Sequence, residues 1–177
     1  KMKRFFSALI ALALAVLPAH SDMMFTGVGA GSSYVSIPPS SVYQATTNDA
    51  TASTTHTFTS AAIGTADPTR YVVVFVHTIS TTLSFCAVSG VTIGGTSATL
   101  LNGTNAISGG ICSGTYAFLL AVPSGTTSTI VATTGGNTVS CAISVFATYN
   151  QTSGTPVATQ ISTASPSVTA VSTVNNG

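Results

Sequence analysis

The sequence predicts an all-β protein, an antiparallel β-sandwich of Ig-like or jelly-roll type that covers residues 56–150. Runs of β-branched and aromatic residues have the length of strands, and turn signals separate them at roughly the 8–12-residue spacing of sandwiches. The body of the chain contains no segment with helical periodicity and helix caps. Two packed antiparallel sheets are therefore expected, with an N-terminal apolar segment and an extended arm before them.

A central strand is predicted over residues 70–77, which read Arg-Tyr-Val-Val-Val-Phe-Val-His. The run follows the Asp67-Pro68 turn signal, and its unbroken apolar character indicates a strand that is buried on both faces. We expect His77 to be a core histidine with a satisfied hydrogen bond. Asp67 is expected to pair locally with Arg70 where the strand begins.

A tight hairpin is predicted next, with strands over residues 91–93 and 96–101 joined by Gly94-Gly95. Two glycines supply the positive φ angles that a two-residue primed turn requires. Later strands are predicted over residues 116–122, 128–133 and 139–149, the last of them after a turn at Gly135-Gly-Asn137. Alternation in the last strand places four side chains on one face, namely Val139, Cys141, Ile143 and Val145.

The segments that flank the predicted sandwich have their own compositions. Residues 1–22 combine a basic start, the apolar run 5–17 and a small-residue end, which is the layout of a secretory signal peptide with cleavage near Ser21. The alternative is a retained apolar helix used for anchoring or packing. Residues 23–55 are rich in Gly, Ser, Thr and Pro, which favours an extended arm. Its candidate docking residues are Tyr34, Val35, Ile37, Val42 and Tyr43. Residues 151–177 form a Ser/Thr-rich tail with a possible incomplete final strand.

Charge excludes one large class of partner. Only 4% of the residues are charged, there is no Glu, and three of the four Lys and Arg residues lie in the first four positions. Nucleic-acid binding through phosphates needs a cluster of basic residues, and none exists after Arg4. An ordinary soluble domain is about 25% charged. A surface of Ser, Thr, Asn and Gly instead is typical of secreted proteins and of particle shells.

Chemistry-bearing residues are sparse, and we expect no enzyme, no metal site and no cofactor. A serine nucleophile needs a histidine base and an orienting acid, yet His56 lies in a Thr-rich approach and His77 on a buried-looking strand. The sequence has no Gly-x-Ser-x-Gly elbow. Without Glu, the paired carboxylates of glycoside hydrolysis are missing. The cysteines show no Cys-x-x-Cys spacing that would indicate zinc.

The three cysteines allow two interpretations. Cys86 and Cys112 both lie beside Gly/Ser-rich loops that flank the hairpin, so they are the candidate disulfide, which fits an oxidising location. Cys141 is then a buried free thiol on the inward face of its strand. The alternative is three reduced core cysteines.

Four segments, taken in order, resemble a known family. They read Arg70-Tyr-Val-Val-Val-Phe-Val, Val91-Thr-Ile-Gly-Gly-Thr-Ser-Ala-Thr-Leu, Ala121-Val-Pro-Ser-Gly-Thr-Thr-Ser-Thr-Ile-Val and Cys141-Ala-Ile-Ser-Val-Phe. The set is similar to a β-sandwich domain of tailed-phage and prophage virion structural proteins, over residues 56–150. Family members usually have Trp where Phe146 stands. The resemblance implies a particle component and names no ligand.

These observations predict a non-catalytic structural or display protein that is extracellular, on a virion or a cell surface. The first expectation is a decoration, fibre or tail component in a repeated assembly, whose partners are copies of itself and other structural proteins. The alternatives are a secreted bacterial surface or adhesive module that binds a glycan or cell-surface ligand, and a fibre subunit joined by strand exchange. A membrane is expected as a partner only if residues 5–17 are retained.

Overall fold

The computed structural model describes residues 39–83, 85–151, 154, 158–160 and 172–174. In this part of the chain two antiparallel sheets pack against each other, so the predicted all-β sandwich is confirmed. None of the described residues belongs to a helix with the length and apolar character needed to span a bilayer.

The first sheet has five strands in the order β1-β9-β3-β7-β6. Their bounds are β1 Ser40–Asp49, β3 Tyr71–Ser80, β6 Thr99–Ser108, β7 Ile111–Ala121 and β9 Ser140–Tyr149. The valine-rich strand β3 lies at the centre, paired with β7 on one side and β9 on the other. Its predicted central position is therefore what the structure shows.

The second sheet has four strands in the order β2-β8-β4-β5. Their bounds are β2 Ser53–Ala62, β4 Val88–Ile93, β5 Thr96–Ser97 and β8 Thr127–Thr138. A separate two-stranded pair joins β10 Ala158–Gln160 to β11 Ser172–Val174. The tail segment that was expected to form an incomplete final strand thus pairs with another part of the tail.

The core lies between the inward faces of the two sheets. Val72, Val74 and Val76 alternate along β3 and are fully buried, because successive side chains of a strand point to opposite faces. The second sheet covers them with residues such as Phe58 and Ile130. Each fully buried side chain of this size contributes roughly 1.5–3 kcal/mol relative to an exposed one. This burial holds together a chain that has almost no charge pairs to use.

Most connections cross between the sheets, so the loops gather at two ends of the sandwich. At the entry pole β1 begins and β9 ends, beside the connections 63–70 and 122–126. At the distal pole lie the connections 50–52, 81–87, 109–110 and residue 139. Ten-residue strands separate the poles by about 30 Å. The first strand of the two sheets therefore begins, and β9 ends, at the entry pole, whereas the distal pole consists of connections between consecutive strands.

The prediction that residues 23–55 form an extended arm is wrong for the second half of that segment. Residues 40–49 form the edge strand β1, which pairs with β9 from Ser40↔Tyr149 to Asp49↔Cys141, and β2 starts at Ser53. A Ser/Thr-rich segment still forms a strand here because the ladder satisfies its backbone groups while one face remains in water. Tyr34, Val35 and Ile37 lie outside the described residues.

The predicted hairpin is only partly right. Gly94 and Gly95 do form the turn, with φ of 60° and 82°, but β5 ends at Ser97. After Ala98 donates its backbone N–H to the Val91 carbonyl, the chain crosses to the other sheet as β6. The sequence reasoning missed the hairpin of β6 and β7, although Gly109-Gly110, with φ of 57° and 81°, is the same turn signal.

Gly135-Gly-Asn137 is not the expected turn. These residues lie within β8, where the register against β2 shifts between Ser53 and Thr55. Gly136 is required because the Phe85 ring occupies the space that a Cβ at that position would need. β9 starts at Ser140, so Val139 lies before the strand and is exposed, whereas Cys141, Ile143 and Val145 face the core as predicted.

Arg70 is the largest fully buried side chain and does not form the expected pair with Asp67. Its Nε, Nη1 and Nη2 donate to the carbonyls of Val122, Gly64 and Ser124 at 2.7, 2.6 and 2.7 Å. Asp67 instead accepts from the backbone N–H and hydroxyl of Thr69. These Thr69 hydrogen bonds are also the main cause of the lowered pKa of Asp67. The guanidinium thus ties two entry-pole connections together through backbone carbonyls.

Candidate functional site: the distal pole

A buried hydrogen-bonded cluster supports the distal pole. The Nδ1 of His56 on β2 lies 2.9 Å from the Asp49 carboxylate, which stands where β1 ends. The Nε2 lies 2.7 Å from the Thr138 hydroxyl, which stands where β8 ends. His56 and Thr138 are both fully buried. The cluster therefore joins β2 to the ends of β1 and β8, and so links the two sheets.

The order Asp-His-Thr is that of a hydrolytic triad, and the sequence reasoning did not bring these residues together. Because a carboxylate only accepts, the Nδ1 of His56 donates to Asp49. A nucleophile must reach a substrate, but the Thr138 side chain is 0% exposed. We therefore interpret the cluster as a structural tie. Asp49 and His56 lie close together in the sequence, on either side of a short connection, and this proximity is a signal that could have predicted their contact. No feature of the sequence indicates that Thr138 joins them.

Asp49 is the charged member of this cluster. The Thr51 backbone N–H donates to its carboxylate at 2.9 Å, and this bond, together with the one from His56, lowers the pKa of Asp49. Cys141 pairs with Asp49 in the sheet register. Burial, and secondarily the Asp49 charge, raise the pKa of the Cys141 thiol to about 12. The thiol therefore stays protonated and unreactive in the folded protein.

A disulfide joins Cys86 to Cys112, the pair selected from the sequence, and Cys141 is the free buried cysteine. The Cα atoms of the bonded pair are 5.6 Å apart, within the usual range. Cys86 belongs to the connection 81–87 and Cys112 to the start of β7. The bond therefore fixes the connection 81–87, which runs from β3 in the first sheet to β4 in the second, to the start of β7 in the first sheet.

Large apolar side chains are exposed mainly at this pole. The described residues have eight exposed large hydrophobic side chains, and five of them lie in or beside distal connections. These five are Leu83, Phe85, Ile107, Ile111 and Val139, with exposures between 38% and 60%. The remaining three, Val42, Tyr43 and Leu100, lie on the edge strands β1 and β6.

Backbone hydrogen bonds hold the distal loops in place. Phe85 donates to Thr82 at 3.1 Å, Gly135 to Ala87 at 2.9 Å, and Val139 to Ile79 at 2.8 Å. The Phe85 ring rests against Gly136. The apolar side chains are therefore presented from ordered loops, so a partner that covers them has little conformational entropy to remove.

The outer face of the first sheet carries a second apolar feature. The rings of Tyr43 and Phe75 each meet Phe146 edge-on, with centroids 5.5 and 5.6 Å apart. Val42 and Tyr43 were expected to dock on a partner as part of an arm, but the structure places them in β1. Tyr43 is 46% exposed there, so its ring covers a cross-strand neighbour and also meets solvent.

His77 lies on this outer face and not in the core where it was expected. Its Nδ1 is 3.1 Å from the Thr115 hydroxyl on the neighbouring strand β7, and partial burial lowers its pKa. In a strand that alternates, Val76 and Thr78 take the inward positions, so His77 must point outward.

The described residues contain no group of three or more His, Cys, Asp or Glu side chains that could hold a metal ion. No protein-family model, curated protein or solved structure matches this chain. Within the described residues, exposed apolar side chains and hydrogen-bonded loops coincide at the distal pole.

Proposed function

We propose that this chain is a non-catalytic structural or display module that works outside the cytoplasm, as a decoration, fibre or tail component of a phage virion. It would form a repeated assembly with copies of itself and with other structural proteins. The four segments that resemble virion β-sandwich domains support this proposal, as does a surface of hydroxyl and amide groups with 4% charged residues.

The observation that carries the proposal is that ionisable groups of the described body bind other parts of the fold or are buried in it. Arg70 binds three backbone carbonyls, and His56 is enclosed between Asp49 and Thr138. Cys141 is buried and its thiol pKa is raised. These groups stabilise the fold, as is typical of a scaffold protein. In an active site, by contrast, ionisable groups converge on one accessible position.

A secreted surface or adhesive module is the second candidate. The signal-like layout of residues 1–22 favours it, and so does the disulfide, because disulfides persist in oxidising compartments. A fibre subunit joined by strand exchange is a variant of the same idea. It is favoured by β1, an N-terminal edge strand whose side chains are mostly exposed and which only residues 50–52 connect to β2.

The test is to determine the N-terminus of the native protein by mass spectrometry, separately from purified particles and from culture supernatant. The virion proposal predicts stoichiometric recovery in particles, with residues 5–17 retained or a start at Met23 or Met24. Recovery only as free protein that starts near Asp22 would contradict it and favour the secreted module.

A further inference from the structure

We propose that Asn102 is a site of spontaneous deamidation, in which the backbone nitrogen of Gly103 attacks the side-chain amide of Asn102. The Gly103 N–H donates to the Asn102 Oδ1 at 2.8 Å. Because a C=O bond is about 1.23 Å long, the Asn102 Cγ lies within about 4 Å of the attacking nitrogen. The modification goes beyond the proposed function, since it requires neither a particle nor a secretory route.

A local irregularity of β6 accompanies this contact. Side chains of a regular strand stand roughly perpendicular to the sheet, whereas the backbone N–H groups lie in it, so a side chain does not normally accept from the next N–H. The register of β6 against β7 shifts between Leu100 and Asn102, as at a β-bulge, which bends a strand. Among the described strands β6 pairs with β7 alone. Fewer ladder hydrogen bonds therefore hold the Asn102–Gly103 backbone than hold a central strand.

The packing of Tyr116 keeps a glycine at position 103. The Tyr116 ring occupies the space that a Cβ at Gly103 would need, so a larger residue does not fit there. Glycine also hinders the ring closure least, because it has no side chain beside the attacking nitrogen and permits backbone conformations that other residues resist. The fold thus retains the residue that makes its neighbour reactive.

Two other asparagines of the described residues are held differently. The Oδ1 of Asn48 accepts from the Ser140 hydroxyl at 2.9 Å, and the Oδ1 of Asn105 accepts from the Tyr116 hydroxyl at 2.7 Å. These donors lie on neighbouring strands, and each of the two asparagines is followed by a residue with a side chain. We therefore expect Asn48 and Asn105 to keep their amides under conditions in which Asn102 loses its own.

The reaction needs only base and water. Base removes the Gly103 amide proton, a bond forms between the Gly103 nitrogen and the Asn102 Cγ, and the Cγ–Nδ2 bond breaks. The Nδ2 leaves as ammonia after taking up a proton, and the product is a cyclic imide. Water then opens the imide at either of its two carbonyls, which leaves aspartate or isoaspartate at position 102.

The two products affect β6 differently. An aspartate keeps the backbone, and its carboxylate can still accept from the Gly103 N–H, but it adds a negative charge to a chain with 4% charged residues. An isoaspartate carries the main chain through the side-chain carbon, which adds one methylene before Gly103. The following residues are then displaced from β7, including Asn105 from the Tyr116 hydroxyl. Isoaspartate therefore loosens this edge of the first sheet as the protein ages.

The test is incubation of the full chain at pH 8, in buffer and in guanidinium chloride, followed by peptide mapping with mass spectrometry. An isoaspartate methyltransferase measures the isoaspartate formed. We expect the folded protein to lose the Asn102 amide no more slowly than the unfolded chain, because the folded state already brings the two groups together. Asn102→Gln is the matched variant. It keeps an amide, but its ring would be one atom larger, so the peptide should stay unmodified.

Two results would overturn the proposal. One is a folded protein that retains the Asn102 amide while the unfolded chain loses it, because the fold would then protect the pair. The other is equal loss at Asn48 or Asn105 in the folded protein, because the contact would then not select the site. Circular dichroism checks that the buffer sample stays folded. The isoaspartate fraction should also melt at a lower temperature than Asn102→Asp, and equal melting would refute the loosening of β6.

Discussion

Removal of the Cys86–Cys112 bond gives a quantitative test of how the distal pole is stabilised. Both cysteines are buried, and they join the connection 81–87 between the two sheets to the start of β7. The double variant Cys86→Ala with Cys112→Ala removes the cross-link and leaves every strand pairing possible. Its effect then measures what the constraint contributes to the free energy of unfolding.

The sequence separation of 26 residues sets the expected magnitude. In the chain-entropy account, a closed loop of that length stabilises the folded state by about 3.5 kcal/mol, since the cross-link restricts the unfolded chain. For a body of about this size the melting temperature should fall by roughly 10–15 °C. The disulfide is therefore expected to supply a large share of a stability that is typically 5–15 kcal/mol.

The assay is urea unfolding of three proteins under non-reducing conditions: the natural sequence, the double variant and Cys141→Ala. Cys141 is equally buried but unbonded, so its variant measures the loss of one core sulfur without a cross-link. Reduction of the natural sequence should reproduce the loss seen in the double variant. If the double variant loses no more stability than Cys141→Ala does, the reasoning is refuted.

Three further results are expected at other sites. Arg70→Met should lower the free energy of unfolding by about 2–3 kcal/mol in urea titrations, because three carbonyls, half-buried at Gly64 and Val122 and exposed at Ser124, lose their charged donor; near-neutral behaviour would mean that the guanidinium is dispensable. Asp49→Asn should destabilise the protein at pH 6. Because folding lowers the pKa of Asp49, its contribution is present above its ordinary value of 3.8 and is lost as pH falls below it. The gap between variant and natural sequence should therefore close in acid, and a constant gap contradicts this. Cys141 should resist alkylation at pH 8 until urea unfolds the protein, because its thiol pKa is about 12; modification of the native protein would disprove its burial.

The parts of the fold that the sequence predicts well are those fixed by local patterns. Strand β3 follows from five consecutive apolar residues, and the Gly94-Gly95 turn follows from the positive φ angles that it needs. The inward face of β9 follows from simple alternation. In each case the responsible residues are neighbours in the chain, so a short window contains the whole cause.

The errors occur where distant partners decide the outcome. β1 forms from a Ser/Thr-rich segment because β9, about 90 residues later, supplies its hydrogen bonds. Gly135 and Gly136 lie within β8 and contact the connection 81–87, since Gly135 donates to the Ala87 carbonyl and the Phe85 ring occupies the space beside Gly136. The Arg70 side chain does not pair with the nearby Asp67 carboxylate, because its donors bind three backbone carbonyls, and only the Arg70 backbone N–H bonds to Asp67. None of these causes can be read from the local sequence.

The grouping of residues at the distal pole could not be predicted from the sequence for the same reason. Exposure of an isoleucine is not a local property, since Ile107 and Ile143 are the same residue type with opposite burial. The Asp49–His56–Thr138 cluster joins residues up to 89 positions apart. Only the disulfide pair was selected in advance, from its loop surroundings and the odd cysteine count.

The most direct test of the central claim, an extracytoplasmic scaffold, is the thiol state and location of the native protein. Cells, supernatant and particles are separated and alkylated at once, then again after unfolding, and the modified cysteines are identified by mass spectrometry. The account predicts that the protein lies outside the cytoplasm, with Cys86 and Cys112 joined and only Cys141 alkylated after unfolding. A protein found in the cytoplasm with all three cysteines reduced would contradict it.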